Sequence, residues 1–306
     1  MNQVVIGIPT YKRPEMLEKL ILSIYASQIN HDLIDAINIV VVDNDSERTA
    51  EFVIDALKSN CILPFTIHYF NYPKKGLTHV RNEILKQSLK FNPEYIAFVD
   101  DDEYVTENWL NELVKTMINT NADIVQGPNL PVFEKEVPDY ISRWFHVENF
   151  ETNTQMELVE SNNLLIKSKF LDDHNLRFDS RFDQTGGEDT FFGVQALEKG
   201  ARIFWSHDAI VYETIPEKRA TLKWLMRRIY RSASTFTYIL KLKKSYVMLI
   251  RKFFISILYL IFGICSLAFL PFSHKHKYLG LTKISEACGG FAGMINLRYK
   301  EYAENN

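Results

Sequence analysis

The sequence predicts an α/β fold with a mainly parallel central sheet, followed by a helical C-terminal region. The first observation is that short apolar segments alternate with amphipathic segments of helical period between Val4 and Glu213, as in strands joined by crossover helices. The second is that three apolar segments end in polar clusters, at Pro9–Tyr11, Asp43–Asp45 and Asp100–Asp102. Because ligands of such sheets gather beyond the carboxyl ends of the strands, we expect these clusters to share one edge.

The elements of the first half follow from hydrophobic periodicity. Pro14 suits a first helical turn, and the apolar residues after it recur at helical spacing through Tyr25. Strands that are buried on both faces are expected to be continuous apolar runs. The predicted order is strand Val4–Ile8, a helix from Pro14, strand Ile37–Val42, helix Glu47–Lys58, strand Phe65–Phe70, helix Thr78–Leu89, strand Tyr95–Asp100 and helix Asn108–Ile118.

The alternation of strands and helices weakens after Gly127. The stretch Pro128–Glu160, rich in proline, acids and aromatics, indicates a long irregular excursion, and long loops in compact domains are often functional. The remaining predicted elements are a strand at Asn163–Ile166, a helix that opens at Gly186 and runs through Leu197, and short strands at Ala201–Trp205 and Ala209–Glu213.

Three consecutive carboxylates, Asp100–Asp102, end the apolar run that starts at Tyr95. Like charges side by side repel, so a hard divalent cation, which prefers carboxylate and phosphate oxygens, is the simplest partner. Side chains two apart on an extended chain point the same way, so one carboxylate can reach the metal while the other reaches a ribose or sugar hydroxyl. The alternative is an acidic turn that is solvated at a strand end.

Two further motifs suit other parts of a nucleotide. Asp43 can accept a hydrogen bond from an imide N–H of a base that Thr10 and Tyr11 cradle; alternatively, it caps backbone groups of an Asp-Asn turn. Arg81 follows Gly76 at a predicted helix start, and a helix N-terminus and an arginine both suit phosphate. The alternative for Arg81 is a surface arginine in a local ion pair.

A second acidic pair, Glu188 and Asp189, follows two glycines at the start of a helix. The glycines allow the backbone to approach a ligand closely, and the helix dipole favours negative charge there. Asp189 is therefore a candidate general base that removes the proton of an incoming hydroxyl, and Glu188 is a candidate to orient the acceptor. The alternative is ordinary capping of a helix N-terminus by acids.

The character of the chain changes from Leu222 onward. A basic helix carries Arg227, Arg228 and Arg231 on one side, which suits a diphosphate, anionic lipid headgroups or plain solvation. Phe253–Leu270 is uncharged and mostly apolar, at the low end of the length that spans a bilayer, and basic residues flank it on both sides. We expect a re-entrant or interfacial segment that contacts the membrane; the alternative is a buried helix of the globular core.

Net charge and cysteine spacing indicate which binding partners and which cellular compartment suit the chain. The 306 residues have a formal net charge of -3, which provides no basic field for nucleic acid. The three cysteines, Cys61, Cys265 and Cys288, are widely spaced and favour a reducing compartment over a disulfide framework.

The chain resembles family 2 glycosyltransferases of the GT-A fold in the order and spacing of its motifs over roughly Met1–Tyr230. Within the family, the stretch Ile203–Arg228 is most similar to succinoglycan-type bacterial enzymes that extend lipid-linked oligosaccharides. The matching motifs are Gly7–Pro14, Val42–Asp45, Gly76 with Arg81 and Asn82, Asp100–Asp102, and Gly186–Asp189.

The resemblance implies an inverting transfer of one sugar from a nucleotide sugar, usually a UDP-sugar, with Mg²⁺ or Mn²⁺. The acceptor is then a glycan or lipid-linked oligosaccharide at the cytoplasmic face of the plasma membrane. By the same resemblance Asp43 contacts uracil, Asp100 the ribose, and Asp102 the metal. The full expected site has Pro9, Thr10, Tyr11, Arg13, Asp43, Arg81, Asp100 and Asp101 at the nucleotide, Asp102 at the metal, and Asp189 and Glu188 in catalysis.

The implied organisation is a GT-A domain over 1–220, with a nucleotide-binding half (1–102) and an acceptor-binding half (103–220), followed by a membrane-associated region (221–306).

Processive synthases carry a Gln-x-x-Arg-Trp signature, whereas the nearest stretch here is Arg227–Arg231, which favours addition of a single sugar. Many relatives place a histidine where Glu213 stands, so a metal contact there is left open. The other functions considered are a nucleotidyltransferase, which normally needs a glycine-rich basic phosphate loop, and a non-catalytic membrane-bound scaffold.

Overall fold

Strands and helices alternate through the first part of the chain, as the periodicity predicts. The computed structural model describes residues 2–60, 63–157, 159, 162–268 and 274–301. The strands are β1 (Gln3–Thr10), β2 (Ala36–Asp43), β3 (Thr66–Asn71), β4 (Tyr95–Phe98), β5 (Glu103–Val105), β6 (Ile124–Gln126), β7 (Asn129–Phe133), β8 (Leu164–Lys167), β9 (Ile203–Trp205) and β10 (Val211–Ile215). The α-helices are α1 (Pro14–Ala26), α2 (Glu51–Asn60), α3 (Leu77–Ser88), α4 (Trp109–Thr120), α5 (Asp139–Ser142), α6 (Ser168–Asp173), α7 (Glu188–Glu198), α8 (Leu222–Leu242), α9 (Tyr246–Ala268) and α10 (His274–Met294).

The central sheet has the strand order β3-β2-β1-β4-β8-β6-β9. β1 runs parallel to β2 and β4, β2 is parallel to β3, and β6 is parallel to β9, whereas β8 is antiparallel to both of its neighbours. This confirms the predicted α/β fold with a largely parallel sheet. The strand order reverses direction at β1, and such a switch point is where open α/β sheets bind ligands.

Side chains alternate between the two faces of the sheet and build one apolar layer on each side. On one face, β1 residues Val4, Ile6 and Ile8 pack in the same cluster as buried residues of α1, α2 and α4. On the other face, Val5 belongs to a cluster with buried residues of α3, α6 and α7. The helices therefore cover both faces, and the edge formed by the strand ends is left for polar residues.

A second, smaller sheet has the order β5-β10-β7. β5 and β10 are antiparallel, with Glu103 opposite Glu213. The predicted irregular excursion Pro128–Glu160 is therefore wrong in its first part, because β7 and the short helix α5 lie there; Leu158 and Glu160 fall outside the described residues. The reason is physical: the partner strand of β7 lies far along the chain, and local composition does not show that pairing.

Several predicted boundaries shift by a few residues for identifiable reasons. α2 begins at Glu51 rather than Glu47, because Asp45 holds the intervening residues in a polar turn, accepting from Glu47 N–H at 3.2 Å and from Thr49 Oγ1 at 2.9 Å. β4 ends at Phe98, so the acidic run follows the strand rather than belonging to it.

The chain divides into two compact units. The first comprises Met1–Val132, Val147–Asp183 and Glu188–Thr214, and it contains the central sheet. The second comprises Phe133–His146, Gln184–Gly187 and Ile215–Asn306, and it contains α8, α9 and α10. The predicted functional halves, 1–102 and 103–220, stay predictions.

Within the second unit, α9 and α10 approach closely at two glycines. A Cβ on Gly263 would lie 2.8 Å from the carbonyl oxygen of Gly280, which no larger residue tolerates without a shift. Arg231 of α8 is buried and pairs with Glu301. The expectation that Arg231 shares an open basic face with Arg227 is therefore wrong.

The apolar helix α9 begins at Tyr246, before the predicted start at Phe253, and Phe269 and Leu270 lie outside the described residues. In the described part of the chain it is the helix that is long and apolar enough to cross a membrane, by length and composition. Only 11% of its most apolar window is buried, so the alternative of a buried core helix is wrong. Its exposed apolar side chains include Val247, Met248, Ile250, Phe253, Phe254, Leu258, Ile261, Phe262 and Ile264.

Candidate active site

The polar ends of β1, β2 and β4 meet at one edge of the central sheet. In the register of the parallel pairs Thr10 lies beside Asp43, and Gly7 lies beside Phe98. The residues that follow β1 and β4 therefore emerge together, at the place where the strand order reverses. The structure thus brings the three predicted polar clusters to the edge where the sequence expects a nucleotide.

Arg13 joins two acids of the strand-end run to the loop after β1. Its Nη1 donates to Asp101 Oδ1 at 2.9 Å and to Asp102 Oδ2 at 2.8 Å. Asp101 Oδ2 also accepts from Thr10 Oγ1 at 2.9 Å and from the backbone N–H of Tyr11 at 3.4 Å. We name these five residues the mouth cluster. Burial raises the pKa of Asp101 to about 6, although the charge of Arg13 opposes this shift.

The mouth cluster is open on the side of its cation. The side chain of Arg13 is 37% exposed, whereas those of Asp101 and Asp102 are 7% and 9% exposed. The ring of Tyr11 is also exposed, with Lys12 Nζ 5.8 Å from its centroid, and an exposed aromatic ring can stack on a base. A charged ligand can therefore reach Arg13 without disturbing the packed side of the cluster.

Arg81 bridges the strand-end acids to the start of α7. Its Nη1 donates to Glu188 Oε1, and its Nη2 lies 3.2 Å from Asp100 Oδ1. The side chain of Arg81 is 4% exposed and that of Glu188 is 2% exposed, so the alternative of a surface arginine is wrong. These ion pairs engage the guanidinium that the sequence assigned to phosphate, and the phosphate contact stays a prediction. We name Arg81, Asp100 and Glu188 the inner cluster.

One guanidinium in the inner cluster faces an excess of carboxylates. Burial raises the pKa of Glu188 to about 7, with Arg81 opposing the shift and Asp189 reinforcing it. Burial also raises the pKa of Asp100, again opposed by Arg81 and reinforced by the charges of Asp102 and Asp189. The charge of Asp102, the predicted metal ligand, and that of Asp189, the predicted base, therefore both act on the carboxylate of Asp100.

Asp189 lies in the first turn of α7, next to the buried Glu188. Its Oδ1 accepts from the backbone N–H of Thr190 at 2.6 Å and from Thr190 Oγ1 at 3.2 Å, and the side chain is partly exposed. Among the described residues, Oδ2 has no hydrogen-bond partner. One oxygen thus fixes the carboxylate at the helix start, as the capping alternative expects, and the other is free to accept a proton.

Asp43 is fully buried and caps backbone groups. Its Oδ1 accepts from Asp45 N–H at 2.9 Å, and its Oδ2 accepts from Ala50 N–H at 3.2 Å and from Tyr69 Oη at 2.9 Å. This is the capping arrangement that the sequence left open, and the contact with a base stays a prediction. Pro9 is buried within β1, so it shapes the backbone before Thr10.

The N-terminus of α3 is already occupied by a carboxylate that sequence reasoning missed. Asp183 Oδ1 accepts from Thr78 N–H at 3.1 Å and Thr78 Oγ1 at 2.7 Å, and its Oδ2 lies 3.3 Å from His79 Nε2. A Cβ on Gly76, whose φ is 129°, would lie 2.0 Å from Asp183 Oδ2. The idea that this helix end binds phosphate is therefore corrected: the helix dipole there stabilises Asp183.

Glu103 is a second functional candidate that the sequence analysis missed. It is 2% exposed, and its Oε2 accepts from the backbone N–H of Asp100 at 2.7 Å while its Oε1 accepts from Asn129 Nδ2 at 2.7 Å. Burial raises its pKa well above the ordinary value, reinforced by the charge of Asp100. The sequence contains a signal for the burial of Glu103, because strand alternation places this residue on the same side as the apolar Val105, which is buried.

The carboxylates of the mouth cluster suit a metal ion that is held largely by substrate phosphates. Within the described residues no group of three or more His, Cys, Asp or Glu side chains is arranged to hold a metal ion. Mg²⁺ is commonly bound through one or two carboxylates together with substrate phosphates and waters. Asp102 is a carboxylate of that kind beside the partly exposed Asp100, and its Oδ2 partner Arg13 is solvent-accessible.

The chain is similar to known proteins in sequence and in fold. The chain is 31% identical over 236 residues to the succinoglycan biosynthesis protein ExoM of Rhizobium meliloti (strain 1021), covering 75% of this chain and 72% of that protein. The crystal structure of S. aureus TarS 1-349 in complex with UDP-GlcNAc matches with a TM-score of 0.55 and 20% identity, over 76% of this chain and 66% of that one. The same protein in complex with UDP matches with a TM-score of 0.55 and 16% identity. At these identities the TarS structures show the GT-A-like fold alone.

Two family models also match the chain. The model of glycosyl transferase family 2 matches residues 5–179, and the model of glycosyl transferase family group 2 matches residues 95–279. The first match covers more than half of the chain and both the mouth cluster and Asp100. The family does not support the nucleotidyltransferase or scaffold alternatives. The chain belongs to glycosyltransferase family 2, close to the succinoglycan-type enzymes.

Proposed function

We propose that this glycosyltransferase moves one sugar, with inversion, from a UDP-sugar to a hydroxyl of a lipid-linked glycan in the synthesis of a surface polysaccharide. The observation that carries the proposal is the bridge made by Arg81, which joins Asp100 after β4 to Glu188 in the first turn of α7. That bridge places Asp100, which suits a nucleotide, in one cluster with Glu188, and the next residue along the chain is Asp189, which suits a proton transfer.

Asp189 is the proposed base. Its Oδ2 takes the proton of the acceptor hydroxyl as the acceptor oxygen forms a bond to the anomeric carbon. The bond from that carbon to the diphosphate breaks at the same time, and its electron pair leaves with the nucleoside diphosphate. Attack from the face opposite the leaving group gives inversion. Glu188, held by Arg81, fixes the first turn of α7, so that Asp189 keeps its orientation.

The donor is held, in this proposal, by the mouth cluster and by the strand ends beside it. The exposed ring of Tyr11 stacks on the base, and Asp43 and Asp100 accept hydrogen bonds from the base and the ribose. Asp102 would hold Mg²⁺ or Mn²⁺ together with the diphosphate. When bound, the ion offsets the negative charge that grows on the leaving diphosphate.

The relatives support the choice of substrates. ExoM is named for succinoglycan biosynthesis, a polysaccharide pathway, and the TarS structure contains UDP-GlcNAc. Arg227–Arg231 differs from the Gln-x-x-Arg-Trp signature, which supports addition of a single sugar rather than processive synthesis.

Membrane association is proposed from α9. Its apolar side chains are exposed along the helix, and basic residues such as Lys244 and Arg251 lie near its start. Positive charge near a membrane segment favours the cytoplasmic side, so the catalytic unit is proposed to act at the cytoplasmic face of the plasma membrane.

A donor screen tests the proposal. Purified full chain is heated with UDP-, GDP- or TDP-sugars, with Mn²⁺ or with chelator, and the midpoint of thermal unfolding is measured. A UDP-sugar with Mn²⁺ is expected to raise the midpoint, and chelator is expected to remove that protection, because only the folded state binds the ligand. Protection by UDP-sugar that persists in chelator would contradict the metal site. Release of pyrophosphate instead of UDP on turnover would contradict glycosyl transfer as the reaction.

A further inference from the structure

A groove in the second unit has the lining of a lipid site. It measures about 900 Å³, which gives room for roughly thirty water-sized groups. Side chains from α8, α10 and the α5 segment line it, together with one residue of α9. The lining side chains include Tyr140, Trp144, Leu225, Phe236, Lys252 and Lys283. We name this cavity the helical groove.

The walls of the helical groove are largely apolar and aromatic. Tyr140 stacks on Tyr278 with ring centroids 3.5 Å apart, which fixes one wall. Phe236 and Trp144 line the groove and are 44% and 42% exposed, so large apolar surfaces face solvent inside a concavity. Exposed aromatic surface in a groove favours a long hydrocarbon chain over a polar ligand.

The charged side chains that line the helical groove are three cations and two acids, namely Arg143, Lys252, Lys283, Asp139 and Glu286, and two of the cations lie with Glu286 at one end. Lys283 Nζ lies 2.8 Å from Glu286 Oε2, and Lys252 Nζ lies 3.9 Å from Glu286 Oε1. The side chain of Lys252 is only 14% exposed, although its distance to the shared carboxylate is at the limit of an ion pair. Two ammonium groups share one carboxylate, so this end is complementary to an anion such as a phosphate.

We infer that the helical groove holds the phosphate and the adjoining hydrocarbon chain of the lipid that carries the acceptor glycan. This inference rests on the proposed function, since the lipid-linked acceptor is part of it. The chain lies along Leu225, Phe236 and Trp144, and the phosphate contacts Lys252 and Lys283. An anionic bilayer lipid is the competing occupant, and the competition experiment distinguishes it from the carrier lipid.

The test is direct binding of a defined probe to the full chain in nanodiscs of phosphatidylcholine. The probe is a fifteen-carbon isoprenyl monophosphate with a photoreactive group in its chain, and crosslinked residues are mapped by mass spectrometry. Crosslinks are expected on residues of the helical groove, and the matching isoprenyl alcohol is expected to compete at least tenfold less well. Crosslinks elsewhere would overturn the site. Equal competition by the alcohol, or by phosphatidylglycerol, would overturn the assignment to a lipid phosphate carrier.

Two variants sharpen this test. Lys252→Met keeps the length of the side chain and removes its charge, and it is expected to weaken binding about tenfold, as for loss of a charge-assisted contact. Ser232→Trp places a bulky ring at an exposed position of the groove wall and is expected to abolish crosslinking. Lys277→Met, on an exposed position of α10 that does not line the groove, is the matched control.

Unchanged binding in both Lys252→Met and Ser232→Trp would sink the inference. Protection by UDP-sugar, measured in the same preparations, is expected to be unchanged in all three variants. The two proposals are therefore separable: failed donor binding with intact crosslinking contradicts the proposed function, and the reverse contradicts the groove.

Discussion

The mouth cluster and the inner cluster are built alike and differ in exposure. Each has an arginine that bridges two carboxylates, Arg13 between Asp101 and Asp102, and Arg81 between Asp100 and Glu188. Arg13 is 37% exposed and Arg81 is 4% exposed. An exposed pair gains little, because water screens it, whereas a buried pair is costly to break. The inner cluster therefore contributes more to the stability of the site, whereas Arg13 of the mouth cluster is accessible to a ligand.

The largest expected effect comes from the inner cluster. Arg81→Met leaves Asp100 and Glu188 partly or fully buried without their cation, which is expected to lower the free energy of unfolding by about 3–5 kcal/mol. Unfolding by denaturant measures the change. If the variant does not fold, the double variant Arg81→Met with Glu188→Gln is expected to recover part of the loss. A loss below about 1 kcal/mol would show that the two clusters do not differ.

The next effect is on the ligand at the mouth cluster. Asp102→Asn keeps the shape of the side chain and removes a charge, so it is expected to weaken Mn²⁺-dependent UDP binding by about tenfold or more, measured by calorimetry. Asp173→Asn, an exposed aspartate that pairs with Lys169 at 2.9 Å, serves as the control. UDP affinity that is the same with Mn²⁺ and with chelator in the unaltered protein would remove Asp102 from metal binding.

A smaller effect is expected on the pH dependence of the free energy of unfolding. The pKa of Glu188 is raised by burial from 4.5 to about 7, so the folded state binds a proton more tightly than the unfolded state. The stability that this group contributes is full below about pH 4.5 and is lost as pH rises toward about 7. Relative to Glu188→Gln, which does not titrate, the unaltered protein is expected to lose stability progressively across that window. Parallel curves of unfolding free energy against pH would contradict the raised pKa.

The smallest effect is expected at Arg13. Arg13→Met removes a cation that is 37% exposed, so water can replace it at Asp101 and Asp102, and Asp101 keeps its donors Thr10 and Tyr11. The expected change in the free energy of unfolding is therefore below about 1 kcal/mol. Denaturant unfolding under the conditions used for Arg81→Met makes the two values directly comparable. A loss as large as that of Arg81→Met would mean that the mouth cluster is also a fixed part of the fold.

The sequence predicts the elements whose signals are local. The apolar runs of β1, β2 and β4 and their polar ends indicate the sheet and its functional edge, and the two glycines before Glu188 mark the start of α7. Periodicity does not report pairs that are far apart in the chain. The bridge from Arg81 to Glu188 and the cap that Asp183 supplies to α3 depend on such pairs, and so does the pairing of β7. These features therefore needed the three-dimensional arrangement.

The prediction for the apolar segment around α9 was correct in part, for the same physical reason. Composition predicts that the segment around α9 is apolar, but it does not show which side of the helix is covered. Small residues such as Gly263 and Ser256 are buried, whereas Phe254 and Leu258 are exposed. The division of the helix into a packed side and an open side is a tertiary property.

The proposed role of Asp189 is to accept the proton of the acceptor hydroxyl in a site whose donor binding does not depend on this residue. Single-turnover sugar transfer by Asp189→Asn, with Asp173→Asn as the matched control, tests this role most directly. Asparagine keeps the Oδ1 acceptor for Thr190 N–H, so UDP binding is expected to stay within about twofold, and transfer is expected to fall at least roughly 100-fold. Transfer at the unaltered rate would contradict the account.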